Sequence, residues 1–316
     1  MAKTKEIQRR IKSISSTKKI TRAMEMVAAS KMRKAVEMVL KTRTYANLSW
    51  ETVLHLSKNI KQSDSNTLHP LLVKRTKINK VAVILITSNR GMCGGYNSAI
   101  INKVKDSIKK HSEVPIEFIL VGKKGEVIYG QKYKVAAQFP KDDLISETTE
   151  IEPIINLAIA DFISGKYDKI FVAYTDFVSA VKQIPRMKQL LPVDIDVEDD
   201  YLGIVVDEKI SVNKKLLAEK EKKHLNTSSG YNYIFEPSPE EVLDGMIPRL
   251  LAVQIYQALL ESNASEHSAR MTAMHQATEA ATDMVKELNL FYNKARQASI
   301  TAEIAEISAG ANALAD

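Results

Sequence analysis

At 316 residues and 45% apolar content, the chain is long enough for two average domains and a real core. Its net charge of +7 is unevenly spread along the chain, and no run nears the roughly 18–20 consecutive apolar residues of a membrane span. One cysteine, Cys93, excludes an internal disulfide, and Met1-Ala2-Lys3-Thr4-Lys5 lacks the apolar run of a secretory signal, so a soluble, cytoplasmic-side protein is expected.

Glycine and proline set the layout. All nine prolines and ten of the eleven glycines lie between Pro70 and Pro248. Because both residue types break helices, the two unpunctuated ends read as long helices around a punctuated middle. The expected division is 1–69 for a first coiled-coil helix, 70–237 for a central α/β domain, and 238–316 for a second coiled-coil helix.

In the first segment, Ile7, Ile11, Ile14, Thr17, Thr21, Met24, Ala28, Met32, Ala35, Val39, Thr42, Ala46, Trp50 and Val53 recur about every 3.5 residues. That spacing predicts one helix face turned toward a partner helix. Residues 1–45 also hold thirteen Lys/Arg against three Glu, while the rest of the chain is net negative. So much charge on one helix exceeds what solubility needs, and points to nucleic acid, anionic lipid or an acidic protein surface.

The middle reads as strands and helices in alternation. Val81–Ile86, Ile116–Val121 and Lys169–Tyr174 are short apolar runs of buried-strand type, with helical patterns near 98–110 and 150–163. After the first strand, Thr87-Ser88-Asn89-Arg90-Gly91-Met92-Cys93-Gly94-Gly95-Tyr96-Asn97 forms a glycine-rich turn. It lacks both the Lys-Ser/Thr ending of a P-loop and dinucleotide-fingerprint spacing, so a tight structural turn outweighs a phosphate cradle. Cys93 has no neighbouring histidine or second cysteine and reads as a core or turn thiol. An acidic run (Asp194 to Asp200) and a mixed-charge stretch (Lys214 to Lys223) mark 193–230 as an insertion beside the sheet.

Ser238-Pro239-Glu240-Glu241 has the serine, proline and glutamate of a helix start. Beyond it Leu260, Ala264, His267, Met271, Met274, Thr278, Ala281, Val285, Leu288, Tyr292, Ala295, Ser299 and Ala302 alternate steps of four and three, which favours a supercoil. Pro248 lies inside this pattern and is expected to kink or divide the helix. Ile300, Ile304 and Ile307 form a second apolar stripe, which suggests an enclosing partner. The six histidines show no metal-ligand spacing, and no nucleophile–base grouping emerges. No catalytic residue, cofactor or metal site is expected.

Three stretches resemble one family. Ile14 to Met32 (ISSTKKITRAMEMVAASKM) resembles the N-terminal helix of the gamma subunit of F-type ATP synthase, Ile86 to Asn97 its central turn, and Tyr292 to Thr301 (YNKARQASIT) its C-terminal signature. Asn89 stands where the family often has aspartate. The resemblance implies an antiparallel coiled coil of both chain ends plus a Rossmann-like α/β domain. It implies a non-catalytic rotor shaft that couples proton or sodium flow through a c-ring to ATP synthesis or hydrolysis at beta-subunit sites. Alpha, beta and epsilon subunits and the c-ring would be its partners, with peripheral attachment to the cytoplasmic face of the bacterial inner membrane and no nucleic acid. Beta-subunit contacts would come from Lys18, Lys19, Arg22, Met24, Lys31, Arg33, Arg296, Gln297 and Thr301. Tyr233 and Glu236 would form the foot toward c-ring and epsilon, and Ile300, Ile304 and Ile307 an apolar bearing tip. A basic coiled-coil nucleic-acid-binding protein and a nucleotide-binding enzyme using the 86–97 turn are the competing readings.

Overall fold

A computed structural model describes residues 2–62, 69–75, 77–110, 114–129, 133–142, 148–193, 236 and 239–315. Its elements in chain order are α1 (Ala2–Gln62), a 3-10 turn (Pro70–Leu72), β1 (Val81–Ile86), α2 (Tyr96–Lys110), β2 (Ile116–Val121) and α3 (Lys123–Tyr129). There follow β3 (Lys134–Phe139), a second 3-10 turn (Thr148–Ile151), α4 (Glu152–Ile163), β4 (Lys169–Phe177), β5 (Gln183–Leu191) and α5 (Pro239–Ala315). The insertion expected at 193–230 falls almost wholly outside the described residues. The chain divides into two compact units, residues 30–269 and residues 1–29 with 270–316.

In the larger unit the strand order is β3-β2-β1-β4-β5. The first four strands run parallel, and β5 returns antiparallel beside β4. Parallel sheets need cover on both faces, and every residue of β1 is buried. Ile84 and Ile86 face a core shared with α4 and with Leu243, Ile247, Leu250 and Leu251 of α5. Val83 and Leu85 face Ile100, Ile101 and Val104 of α2. The strands expected at 81–86 and 116–121 are present at those bounds, whereas β3, α3 and β5 were not foreseen. The two strands are hidden for a common reason. Both strands are sheet edges, where burial is partial and polar residues are tolerated, and Pro185 fits β5 because an edge strand need not donate every ladder bond.

Of the two outcomes expected at Pro248, a kink or a division, division does not occur: α5 runs through it. A proline inside a helix costs about 3 kcal/mol through its missing donor and its clash with the preceding turn. Leu243, Ile247, Leu250, Leu251 and Ile255 are all buried around it, and each contributes roughly 1.5–3 kcal/mol. Packing outweighs the local penalty. Within this unit α1 and α5 run antiparallel, since Thr42 donates to Gln257 at 2.7 Å while Ala35 packs with Ala264 and Phe177.

The smaller unit is the remaining pair of antiparallel helix segments. Thr278 donates to Thr21 at 2.8 Å, and Glu25 meets both His275 and Arg22. Ala28, Met274 and Ala281 are buried in the seam. The seam residues whose burial is described are largely the ones that the helices cover, Thr17 and Ala302 excepted; Ala46, Trp50 and Val53 lie outside the residues whose side chains are described. Burial then declines along α5, with half-buried and exposed positions alternating from Val285 and every position exposed over 300–309. Thr21 opposes Thr278, so α1, starting at Ala2, ends opposite about residue 297 at equal rise per residue. The last stretch of α5 has no α1 beside it.

At the amino ends of the strands, Glu117 is 3% exposed and accepts from Lys80 and Lys134 at 2.8 Å and from Tyr167 at 2.5 Å. Burial opposes its charge, but the bonds from Lys134, Lys80 and Tyr167 outweigh that and hold its pKa at about 2. Burial and the Glu117 carboxylate together push the Tyr167 hydroxyl upward. A depressed folded-state pKa adds stability that is present above the ordinary value near 4.5 and is lost as pH falls toward 2. Glu117→Gln is expected to cost about 3 kcal/mol at pH 7, on ~1.4 kcal/mol per pK unit. Urea titrations of both proteins should show that gap closing between pH 4.5 and 2. A gap independent of pH would remove the ion network as its cause.

Candidate functional site

In doubly wound sheets a ligand sits outside the carboxyl ends of the strands, where strand order reverses. Here that point lies between β1 and β4, and the 87–97 turn occupies its rim. The turn closes on itself. Asn97 accepts from the Ser88 amide at 3.0 Å and donates to the Ser88 hydroxyl at 2.7 Å, and that hydroxyl donates to the Arg90 carbonyl at 2.7 Å. Met92 and Gly94 adopt φ of 59° and 54° to complete the bend. Cys93 is buried at its centre, receiving a bond from Asn97 at 3.3 Å. Asn89 donates through its amide to the carbonyl of Lys141, which an aspartate could not do.

The crevice itself is filled by α5. Ser265 donates to the Thr175 carbonyl at the end of β4, Asn263 to the Asp142 carbonyl beyond β3, and Ser262 bonds the Tyr96 hydroxyl at the start of α2. Lys141 joins Glu266 at 2.6 Å and reaches Tyr96 at 3.4 Å. A nucleotide would have to displace a helix anchored by four sets of polar contacts. The turn is structural, and the nucleotide-enzyme reading loses its site. Sequence reasoning missed Lys141 and Glu266 entirely. The available signal was the polar run Glu261 to Ser268 inside a helix, with nothing to say that it was buried.

The shaft residues fall on the two helices as follows. Lys19, Arg22 and Arg33 are exposed, while Lys18, Met24 and Lys31 are half-buried. Arg22 spans to Glu25 at 3.0 Å, leaving its guanidinium mostly in solvent. Arg296, Gln297 and Thr301 are exposed on α5, with Thr301 donating to the Gln297 carbonyl at 2.9 Å. Ile300, Ile304 and Ile307 are 47%, 62% and 73% exposed, on the helical stretch that lies beyond α1. Glu236 is exposed, and Tyr233 lies outside the described residues. Among the described residues, no group of three or more His, Cys, Asp or Glu side chains could hold a metal, and no helix is long and apolar enough to cross a membrane.

Large apolar side chains left exposed along α5, Ile300, Ile304 and Ile307 among them, call for cover from beyond the described residues. Comparison with known proteins shows which proteins the chain resembles. A family-wide sequence model described as ATP synthase matches residues 3–314. The ATP synthase gamma chain of Dehalococcoides mccartyi is 40% identical over 316 residues, covering 100% of both chains. That of Chlorobaculum parvum is 35% identical over 320 residues, covering 99% of each. Among solved structures, a chain of the Euglena gracilis mitochondrial ATP synthase (OSCP/F1/c-ring) superposes with a TM-score of 0.62 at 16% identity, covering 99% of this chain and 95% of that one. A chain of the Tetrahymena thermophila mitochondrial ATP synthase central stalk/c-ring gives 0.58 at 23%, covering 82% and 99%. These two likenesses carry the fold, and the full-length sequence matches carry the kinship: the chain belongs to the ATP synthase gamma chain family.

Proposed function

We infer that this chain is the central rotor shaft of an ATP synthase. It performs no chemistry itself. Its work is to turn, and by its angle to bias three catalytic beta subunits among conformations of different nucleotide affinity. A shaft can do this only if it contacts each conformer differently, because an equal contact shifts no population. The observation that carries this reading is family membership across the whole length, joined to a helix pair whose last apolar stretch is exposed among the described residues. A basic coiled coil that binds nucleic acid is not favoured by any of these relatives.

Within that role, Lys18, Lys19, Arg22, Met24, Lys31 and Arg33 on α1 and Arg296, Gln297 and Thr301 on α5 contact beta subunits. Exposed cations suit acidic loops on a turning partner, where charge steers without deep interlocking. Ile300, Ile304 and Ile307 turn inside an apolar sleeve of the alpha–beta ring. Tyr233 and Glu236 belong to the foot that meets the c-ring and the epsilon subunit. The working parts divide at 69/70 and 237/238. Attachment to the membrane is peripheral, through the complex, on the cytoplasmic face of a bacterial inner membrane.

The deciding experiment co-expresses the chain with alpha and beta subunits, followed by size-exclusion chromatography and ATPase assay with and without it. One large complex whose sustained ATPase activity needs this chain is expected. Separate elution with unaltered activity would end the rotor reading.

A further inference from the structure

Eight consecutive residues of α5, Glu261 to Ser268, are at most 3% exposed, although seven of them are polar or charged. Here α5 crosses the carboxyl edge of the sheet with α1 along its other side, so no face meets water. Among the described ion pairs, Lys141–Glu266 is the one in which both side chains are nearly sealed, at 2% and 4% exposure. Arg75–Asp168 and Arg186–Asp176 each keep one partner about a third exposed. Burial works against the Lys141 charge, but Tyr96 and Glu266 outweigh it and hold its pKa above the ordinary lysine value. The ammonium stays charged.

A sealed ion pair is a weak source of stability, because desolvation consumes much of the attraction. Its distinctive property is direction: the bonds form in one register of the helix and no other. The apolar part of the surrounding seam lacks that property. Ala35 and Ala264 belong to one packed cluster across it, and small smooth side chains permit sliding and rolling. The polar contacts of Lys141 to Glu266 and Tyr96, of Tyr96 to Ser262, and of Asn89 to the Lys141 carbonyl join α5 to the ends of β1 and β3.

We propose that Lys141, Glu266, Tyr96 and Ser262 form a torsion latch, a set of positioning residues that fixes α5 on the sheet edge so that torque on the α/β body reaches the helix instead of being lost as slip. The proposal rests on the rotor reading. The latch does not decide whether the protein folds. It decides how much rotation is transmitted per ATP.

The test uses the whole ATP synthase in inverted membrane vesicles, with a voltage-sensitive dye that responds to pumping of either ion. Lys141→Met combined with Glu266→Leu removes both charges at similar volume, so folding and ATP hydrolysis are expected to persist. Pumping per ATP hydrolysed should fall at least about twofold. Glu117→Gln, which loosens the opposite edge of the sheet without touching α5, should leave that ratio unchanged and so separates slip from general destabilisation. An unchanged ratio in the double variant overturns the latch. If the double variant does not assemble, Tyr96→Phe decides alone, since it keeps the ring and deletes the hydroxyl bonds to Ser262 and Lys141. A lowered ratio supports the latch and an unaltered one overturns it. Failure of the wild-type complex to assemble or pump would instead strike the rotor reading itself.

Discussion

Replacing Gly122 with alanine is expected to destabilise the α/β body by about 4 kcal/mol or more, the range reserved for substitutions that force backbone to move. Gly122 follows β2 with φ at +96°, and a Cβ there would lie 2.3 Å from the Thr87 carbonyl oxygen and 2.9 Å from its carbon. Neither atom can yield. Thr87 is wholly buried, its amide bonds the Val121 carbonyl at 2.8 Å, and its hydroxyl accepts from the Gly125 amide at 2.9 Å. Moving Thr87 would thus disturb the junction where β1, β2 and α3 meet. Overpacking alone costs about 1–3 kcal/mol, and the left-handed backbone adds roughly 1–2 for a residue with a side chain. Against a total of about 5–15 kcal/mol for a native domain, that loss leaves little folded protein. Urea denaturation followed by circular dichroism measures it directly. A variant within about 1 kcal/mol of wild type would show that the backbone relaxes there without cost.

Arg296→Ala combined with Gln297→Ala should behave in the opposite way, sparing the fold and damaging the work. Both side chains are exposed near the end of α1's reach, and alanine is the better helix former, so stability should change by no more than about 0.5 kcal/mol. If both meet a beta subunit, charge-assisted hydrogen bonds worth about 1.5–3 kcal/mol are lost from the coupled state. At about 1.4 kcal/mol per factor of ten, coupled ATP synthesis should fall roughly tenfold or more. Synthesis in energised vesicles, set beside the melting temperature of the purified chain, reads both quantities. Normal synthesis in the double variant would sink the contact assignment.

The helices were legible because their information is local. A seam repeating every three or four residues is written in the chain itself, and Thr21, Ala28, Ala35, Val39, Ala264, Met274, Thr278 and Ala281 are buried where that repeat put them. Strands β1 and β2 were legible for a related reason, since burial on both faces forces an apolar run, unbroken in β1 and interrupted in β2 only by Glu117. The signature stretches named the family, and with it the function, because short motifs in a fixed order survive without any knowledge of packing.

Other features depended on what lies nearby in space. On local grounds Pro248 was expected to kink or divide the helix, yet burial of Leu243, Ile247, Leu250 and Leu251 around it keeps α5 undivided. Edge strands β3 and β5 carry mixed polarity because only a neighbouring strand defines them. Lys141 and Glu266 stand 125 positions apart, and each alone reads as a solvated charge. Composition, periodicity and motif settled the helices, the central strands and the family. Only the tertiary structure decided which charges are sealed, which crevice is filled and where α5 runs uncovered, because burial and pairing are properties of distance in space and not of order along the chain.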